Sequence, residues 1–343
     1  MSQDSRARPR AGGRPTMNDV ARLAGVGLKT VSRVVNGEPR VSKAMVERVR
    51  AAIDELGYSP HEGARLLRRG QTACIGLLLE DVANPFYSAL AGAVEQAARA
   101  NGFLLFTASS EEDAAQEREL ALAFCARRVD GLVIVPAASA DHRYLKPEID
   151  AGVVAVFVDR PAVGIAADAV LADNVGGTRA AVVHLLRQGH RRIGYIGDAA
   201  EIFTAAQRLR GYRDELVDSG LPFDESLVAM GHPEPHFVHA ALDRMLAGPE
   251  PVTALIAGNN RATVTVLRDL SMRPQQLALV GFDDFELADL LNPGVTVVAH
   301  DPVALGKTAA DLLFRRLEGY RGPVQTIEIA TRLVPRGSGE VSP

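Results

Sequence analysis

Residues 16–37, TMNDVARLAGVGLKTVSRVVNG, decide how the N-terminal part of the chain is read. Val20, Leu23 and Ala24 recur at helical spacing behind Thr16, a residue type that caps helix N-termini. Gly25-Val26-Gly27 breaks that helix. A second short helix is predicted from Leu28 to Val35, with Val31, Val34 and Val35 turned inward. Asn36-Gly37 ends it, glycine suiting the left-handed position after a helix. Ser42 then caps a third helix, in which Met45, Val46, Val49, Ile53 and Leu56 fall three and four residues apart and which Gly57 closes. Two short helices across a glycine turn, buried by a third, make an all-α helix-turn-helix domain over 16–60.

The face of the second helix opposite its valines carries the chemistry. A helix fits the major groove of B-DNA and brings its first side chains to base edges. Lys29 can donate to guanine O6 and N7, Leu28 can touch a thymine methyl, and Arg33 projects on the same side. Thr30, Ser32 and Asn36 are short polar groups suited to phosphates. Charge points the same way. Residues 1–70 hold 14 Lys and Arg against 7 Asp and Glu, a net of +7, whereas the remainder holds 24 against 35, a net of −11. A basic head on an acidic body suggests a polyanion partner for the head alone. A three-helix protein-interaction domain and a merely solvated basic tail are the competing readings. Residues 1–15 carry no apolar period and read as a disordered basic arm.

The run from Asn18 to Gly37, continued by Val41-Ser42, by Ile53-Asp54-Glu55-Leu56-Gly57-Tyr58 and by Pro60, resembles the helix-turn-helix of the lactose-repressor/galactose-repressor (LacI/GalR) family. The resemblance implies base reading by Leu28 and Lys29, groove or phosphate contacts by Arg33, and DNA-backbone contacts by Thr16, Thr30, Ser32, Asn36 and Ser42. Gly27 departs from the family's usual serine and removes a hydroxyl. The resemblance also makes 61–72 a hinge helix that folds on operator DNA, with Ala64 facing the minor groove and Leu67 wedged into its centre. An apolar wedge of this kind unstacks a base step and bends the duplex. Gly63, and His61 in place of the usual asparagine, make this a marginal helix. An ordinary interdomain linker is the alternative.

From Ala73 onward the pattern changes. Short apolar runs at 74–79, 103–106, 131–135 and 153–158 alternate with amphipathic stretches at 86–101 and 111–128. After Asp173-Asn174 the series restarts, with helices at 176–188, 205–219 and 261–269 and strands at 193–196, 253–257 and 277–281. Alternating strands and helices predict parallel sheets covered on both faces. Two such lobes in tandem place a ligand in the cleft between them, outside the carboxyl ends of the strands. The family resemblance extends through this body, on Asn84-Pro85-Phe86, Val158-Asp159-Arg160, Arg208 with Gly211-Tyr212, Gly258-Asn259 and Val280-Gly281-Phe282-Asp283-Asp284 among others. It implies an α/β two-lobed periplasmic-binding-protein-like core with parallel sheets. The N-terminal lobe is expected at 73–172 and 299–327, and the C-terminal lobe at 173–298 and 328–337. Its implied effector residues are Phe86 with Tyr87 as an aromatic shelf, Asp159 and Asp284 as acceptors, and Arg208 and Asn259 as donors. Asn260 and His300 stand where the family usually has aspartate and glutamine.

Other classes are excluded or discounted. A content of 47% hydrophobic and 23% charged residues is that of a globular protein and excludes wholesale disorder. The cysteines Cys74 and Cys125 cannot form a disulfide scaffold, and no apolar run is long enough for a membrane span. The N-terminus lacks the apolar core of a secretory signal, so the cytoplasm is the expected compartment. His232, His236 and His239 are read as a cleft-edge or solvated loop rather than a metal site, because Pro233 and Pro235 interrupt a helix there. No phosphate loop, serine-nucleophile elbow or dinucleotide fingerprint is present, and no enzyme activity, cofactor or metal is expected. The leading expectation is a homodimeric repressor that binds double-stranded operator DNA under control of a small-molecule effector, a sugar or polyol. A receptor of the solute-binding fold without operator activity is the alternative.

Overall fold

The computed structural model describes residues 15–35, 41–58 and 72–343. The N-terminal arm, Asn36, Ala64 and Leu67 lie outside the described residues. The chain divides into two compact units, 1–72 and 73–343.

In the first unit, α1 (Met17–Ala24), α2 (Leu28–Val35) and α3 (Lys43–Leu56) bury Val20, Val31 and Val49 against one another. Thr16 and Asp19 cap α1 reciprocally. The Asp19 carboxylate accepts the Thr16 backbone N–H at 2.9 Å, and the Thr16 hydroxyl oxygen faces the Asp19 backbone N–H at 3.4 Å. The turn requires glycine at position 25. Its φ is 60°, and a Cβ there would lie 2.8 Å from Arg48 Nη2, which donates to the Ala24 carbonyl at 2.6 Å. Ser42 occupies the N-cap position of α3 but makes no side-chain capping bond, contrary to the sequence reading. Only its carbonyl, accepting from Val46 N at 3.0 Å, joins the helix.

The second unit contains two six-stranded sheets. The first has the order β11-β5-β4-β3-β1-β2, all parallel, and is built from β1 (Cys74–Leu79), β2 (Leu104–Ser109), β3 (Gly131–Ile134), β4 (Val154–Val158), β5 (Asp168–Ala172) and β11 (Thr326–Ile329). The second has the order β12-β10-β9-β8-β6-β7, from β6 (Ile193–Gly197), β7 (Val228–Met230), β8 (Ala254–Ala257), β9 (Ala278–Phe282), β10 (Thr296–Ala299) and β12 (Arg332–Val334). Only β12 runs antiparallel, against β10. Helices cover both faces, which is why central strands such as β3 and β8 are buried throughout.

The helices are α4 (Pro85–Ala100), α5 (Ala114–Ala126), α6 (Lys146–Asp150), α7 (Asn174–Arg187), α8 (Phe203–Asp218), α9 (Pro235–Leu246), α10 (Asn260–Leu270) and α11 (Pro302–Leu317). The chain passes between the sheets three times: from β5 into α7, from β10 into α11, and from β11 into β12. Helix α9 corrects the loop reading of the histidine cluster. Proline at 235 is the first helical residue, where its missing N–H costs nothing, and the helix then carries His236 and His239. Among the described residues, no group of three or more His, Cys, Asp or Glu is arranged to hold a metal ion.

Candidate functional site

Two surfaces carry the chemistry. In the first unit, Val31 is fully buried beneath α2 while Leu28 is 47% exposed and Lys29 is exposed beside it. Thr30, Ser32 and Arg33 are half-buried, and Thr16 and Ser42 are exposed at the starts of their helices. The start of α2 therefore presents an apolar and a cationic side chain side by side over a buried core, the form needed to enter a groove N-terminus first. Among the described residues nothing lies within 4 Å of where a Gly27 Cβ would be.

In the second unit the site is the cleft between the sheets. Phe86, Tyr87, Asp159, Arg208 and Asn259 all line it, as the sequence reading expected. Asp284 does not. It is exposed and its carboxylate is held by Arg336, with contacts of 2.6 and 2.7 Å, so the acidic lining residue of this segment is Asp283. The backbone explains the shift by one position. Asp159 follows β4 and Asp283 follows β9, both with φ of 68°. Each passes its N–H to the neighbouring crossover strand, Asp159 to Val170 O at 2.8 Å and Asp283 to Val298 O at 3.0 Å. The lobes thus contribute twin carboxylates at equivalent strand ends, in a left-handed conformation that aspartate tolerates better than most residues.

The arginines of the cleft are already engaged. Arg208 donates from Nε to Asn174 Oδ1 at 2.7 Å and from Nη1 to Gly258 O at 2.7 Å, approaches Asp283 at 3.3 Å, and lies over the Phe282 ring. Arg160 is held by Glu112, by Pro136 O at 2.7 Å and by Glu80 at 3.3 Å. Other buried polar atoms of the cleft are less fully paired. Among the described residues, Asp159 Oδ1, Asp283 Oδ1 and both ring nitrogens of His300 have no hydrogen-bond partner, although Asp283 Oδ1 lies at ion-pair distance from Arg208 (3.3 Å) and from His300 Nε2 (3.2 Å). Asn259 caps α10 through Ala262 N at 2.7 Å and donates to Asp198 at 2.8 Å. One face of Phe86 is stacked on His300, with centroids 4.6 Å apart.

Burial dominates the electrostatics. It raises the Asp159 pKa against the pull of Arg160, Arg208 and His300, and it lowers that of His300. Burial and the neighbouring Glu112 charge push Glu80 up to about 7, against Arg160 and Arg261. Glu80, Arg160, Asp283 and Arg261 are lining residues that the sequence reading did not select. For Asp283 the signal was present: it is the residue immediately beyond a strand's carboxyl end, where ligands of open α/β sheets bind. For Glu80 and Arg261 none was present, because their roles arise from contacts 180 and 181 positions apart in sequence.

Residues 16–61 match the profile of bacterial regulatory proteins of the lacI family, and residues 182–339 match a periplasmic binding protein-like domain. The HTH-type transcriptional regulator CelR of Thermobifida fusca is 34% identical over 339 residues, which is 95% of this chain and 98% of that protein. The ribose operon repressor of Escherichia coli (strain K12) is 32% identical over 94% of this chain and 99% of its own length. Among solved structures, the CelR–cellobiose complex matches with a TM-score of 0.70 at 32% identity, over 95% of this chain and all (100%) of that one. The lac repressor dimer bound to operator and the anti-inducer ONPF matches with a TM-score of 0.84 at 25% identity, over 96% of this chain and 100% of that one. These relatives are transcriptional regulators rather than enzymes. With an exposed groove-sized helix face in one unit and a two-lobed cleft in the other, the chain belongs to the lacI family of bacterial regulatory proteins and is a DNA-binding transcriptional regulator.

Proposed function

We propose that the chain acts in the cytoplasm as a homodimeric repressor, that Leu28 and Lys29 read the half-sites of a near-palindromic operator, and that a neutral sugar or polyol bound between the lobes sets its DNA affinity. Arg33, Thr30, Ser32, Asn36, Thr16 and Ser42 position the helices on the DNA backbone, and Ala64 and Leu67 engage the central minor groove. Phe86, Tyr87, Asp159, Arg208, Asn259 and Asp283 hold the effector. A second copy docks on the outer edge of the first sheet, where β2 carries Leu104 and Phe106 at 67% and 40% exposure, an apolar edge that monomers avoid. Two-fold pairing of the cores matches the two-fold symmetry of a palindromic site.

The observation that carries the effector class is the imbalance of the cleft. Its guanidinium groups already hold partners within the protein, Arg208 through Nε and Nη1, while among the described residues Asp159 Oδ1, Asp283 Oδ1 and the His300 ring nitrogens make no hydrogen bond. A ligand that completes the site must therefore donate hydrogen bonds, as sugar hydroxyls do, and carry no negative charge. Relatives fit this chemistry: one is named for the ribose operon, and another is solved with cellobiose. Effector binding re-sets the angle between the lobes, and β1 of the first lobe follows directly on the 61–72 segment, so the change reaches the hinge and weakens the grip on DNA.

Two measurements test this. Gel-shift with the DNA upstream of the protein's own gene should give sequence-selective retention that weakens steeply with salt. A thermal-shift screen should find stabilisation by a neutral sugar and none by its phosphorylated form. Indifference to DNA sequence, or preference for the phosphorylated sugars, overturns the corresponding part.

A further inference from the structure

We propose that Arg261 is a latch across the mouth of the cleft, one that holds the two lobes shut before any effector arrives; its consequence for effector exchange rests on the cleft being the effector site. Arg261 is the second residue of α10, in the second lobe. Its guanidinium reaches over to the end of β1 in the first lobe, donating from Nη1 to Glu80 at 3.0 Å and from Nη2 to Asp81 at 2.6 Å. Asn260 lies beside it and donates to Asn84 Oδ1 at 3.0 Å, a second bond across the same gap.

The first-lobe side of the latch is built in advance. Glu80 is gripped from behind by Tyr87 Oη at 2.9 Å and by Arg160 at 3.3 Å. Asp81 accepts Ala83 N at 2.8 Å, and Asn84 accepts Phe86 N at 3.1 Å as the cap of α4. Each acceptor is thus also held by bonds within the first lobe, and the long flexible member of the contact is Arg261 itself. An isolated exposed ion pair contributes little, but here one guanidinium spans two carboxylates, and the Glu80 side chain is only 18% exposed. Glu80 and Arg261, with Asp198 and Ile202, line both the inner cavity and an outer vestibule that Glu111, Glu112 and Glu234 make acidic. The latch therefore forms part of the wall between the cavity and the vestibule, and breaking it widens the path by which an effector enters and leaves.

The test is the distance between the lobes in the full chain without effector. Spin labels at Arg99 and Arg210, both exposed and in different lobes, report it by pulsed electron resonance. Cys74 and Cys125 are replaced for this purpose, and labelled chain is diluted with unlabelled chain so that each assembly carries one labelled copy. At low salt the wild type should give one short distance. Arg261→Ala, and wild type in about 1 M salt, where screening acts within roughly 3 Å, should populate a longer one. Arg261→Glu alone should also open the cleft, and pairing it with Asp81→Arg should close it again, a rescue that a merely structural role for Arg261 does not predict. If the Arg261→Ala distribution superimposes on the wild type, the latch is overturned; Arg261→Gln gives the same readout should the alanine variant not fold. The cleft reading fails separately, if no neutral sugar shifts the melting temperature, and the distances are untouched by that outcome.

Discussion

At the scale of the residue, the twin aspartates show how position within an element decides a role. Asp283 and Asp284 are adjacent and chemically identical, yet one lines the cleft and the other closes a surface ion pair with Arg336. Asp283→Asn should weaken effector binding by about 10- to 100-fold, the loss of a charged hydrogen bond of about 1.5–3 kcal/mol, whereas Asp284→Asn should leave it within experimental error. Titration calorimetry with the sugar found by thermal shift decides between them. On the DNA side, Lys29→Ala should relax the preference at one base pair of each half-site, at a cost of about 1–3 kcal/mol; equal loss on every sequence would refute base reading by Lys29. His300 gives a pH dependence. Burial holds its native pKa below the ordinary 6.5, between the Phe86 ring and the charges of Asp283, Asp159 and Arg208. As pH falls through 6.5 the unfolded chain takes up a proton that the native state resists, so the unfolded state binds more protons and stability declines toward acid. His300→Gln should flatten the fall in melting temperature between pH 7.5 and 5.5, and an unchanged slope would exclude His300 as its source.

At the scale of the element, glycine spacing and capping set where helices begin and how closely they meet. Helix α8 packs on α7 at Gly211, where a Cβ would lie 2.5 Å from the Val175 carbonyl oxygen. Gly211→Ala should cost about 1–3 kcal/mol, read in urea unfolding of the core, because a backbone carbonyl cannot yield as a flexible side chain can. The same helix carries Arg208 to the cleft, three residues before that contact, so the close approach also fixes the reach of the guanidinium. The elements β1, α4, β2, α5, β3 and β4 of the first lobe, and α7, β6, α8, β8, α10 and β9 of the second, were legible in the sequence because continuous apolar runs alternate there with amphipathic stretches. Elements such as β7, β11 and β12 were not: they are three or four residues long, and the exposed faces of β11 and β12 break the apolar pattern. Helix α9 was missed for a different reason, since Pro235 reads as a breaker unless the helix is known to start there.

At the scale of the whole molecule, function depends on one lobe feeling what the other holds. Arg208 belongs to the second lobe, yet it influences Asp159 of the first across the cleft. Arg208→Ala should abolish release from operator DNA on addition of effector, measured by gel-shift with and without the sugar; a normal response would remove Arg208 from the coupling. The acidic core and the basic head divide the electrostatic work, since only the head can release counterions from DNA.

The sequence alone determined the three-helix head, the outward placement of Leu28 and Lys29 and the tandem parallel lobes, and five of the six residues it named for the cleft do line it. These follow from local periodicity, glycine punctuation and residues whose roles are tied to strand or helix ends. Tertiary structure decided the rest: which of two neighbouring aspartates faces the cleft, that the arginines already hold internal partners while Asp159 Oδ1, Asp283 Oδ1 and the His300 ring nitrogens make no hydrogen bond among the described residues, and that Arg261 ties the lobes together. Those facts depend on which side chains meet after strands far apart in sequence are brought side by side, and such meetings leave no periodic trace in the chain itself.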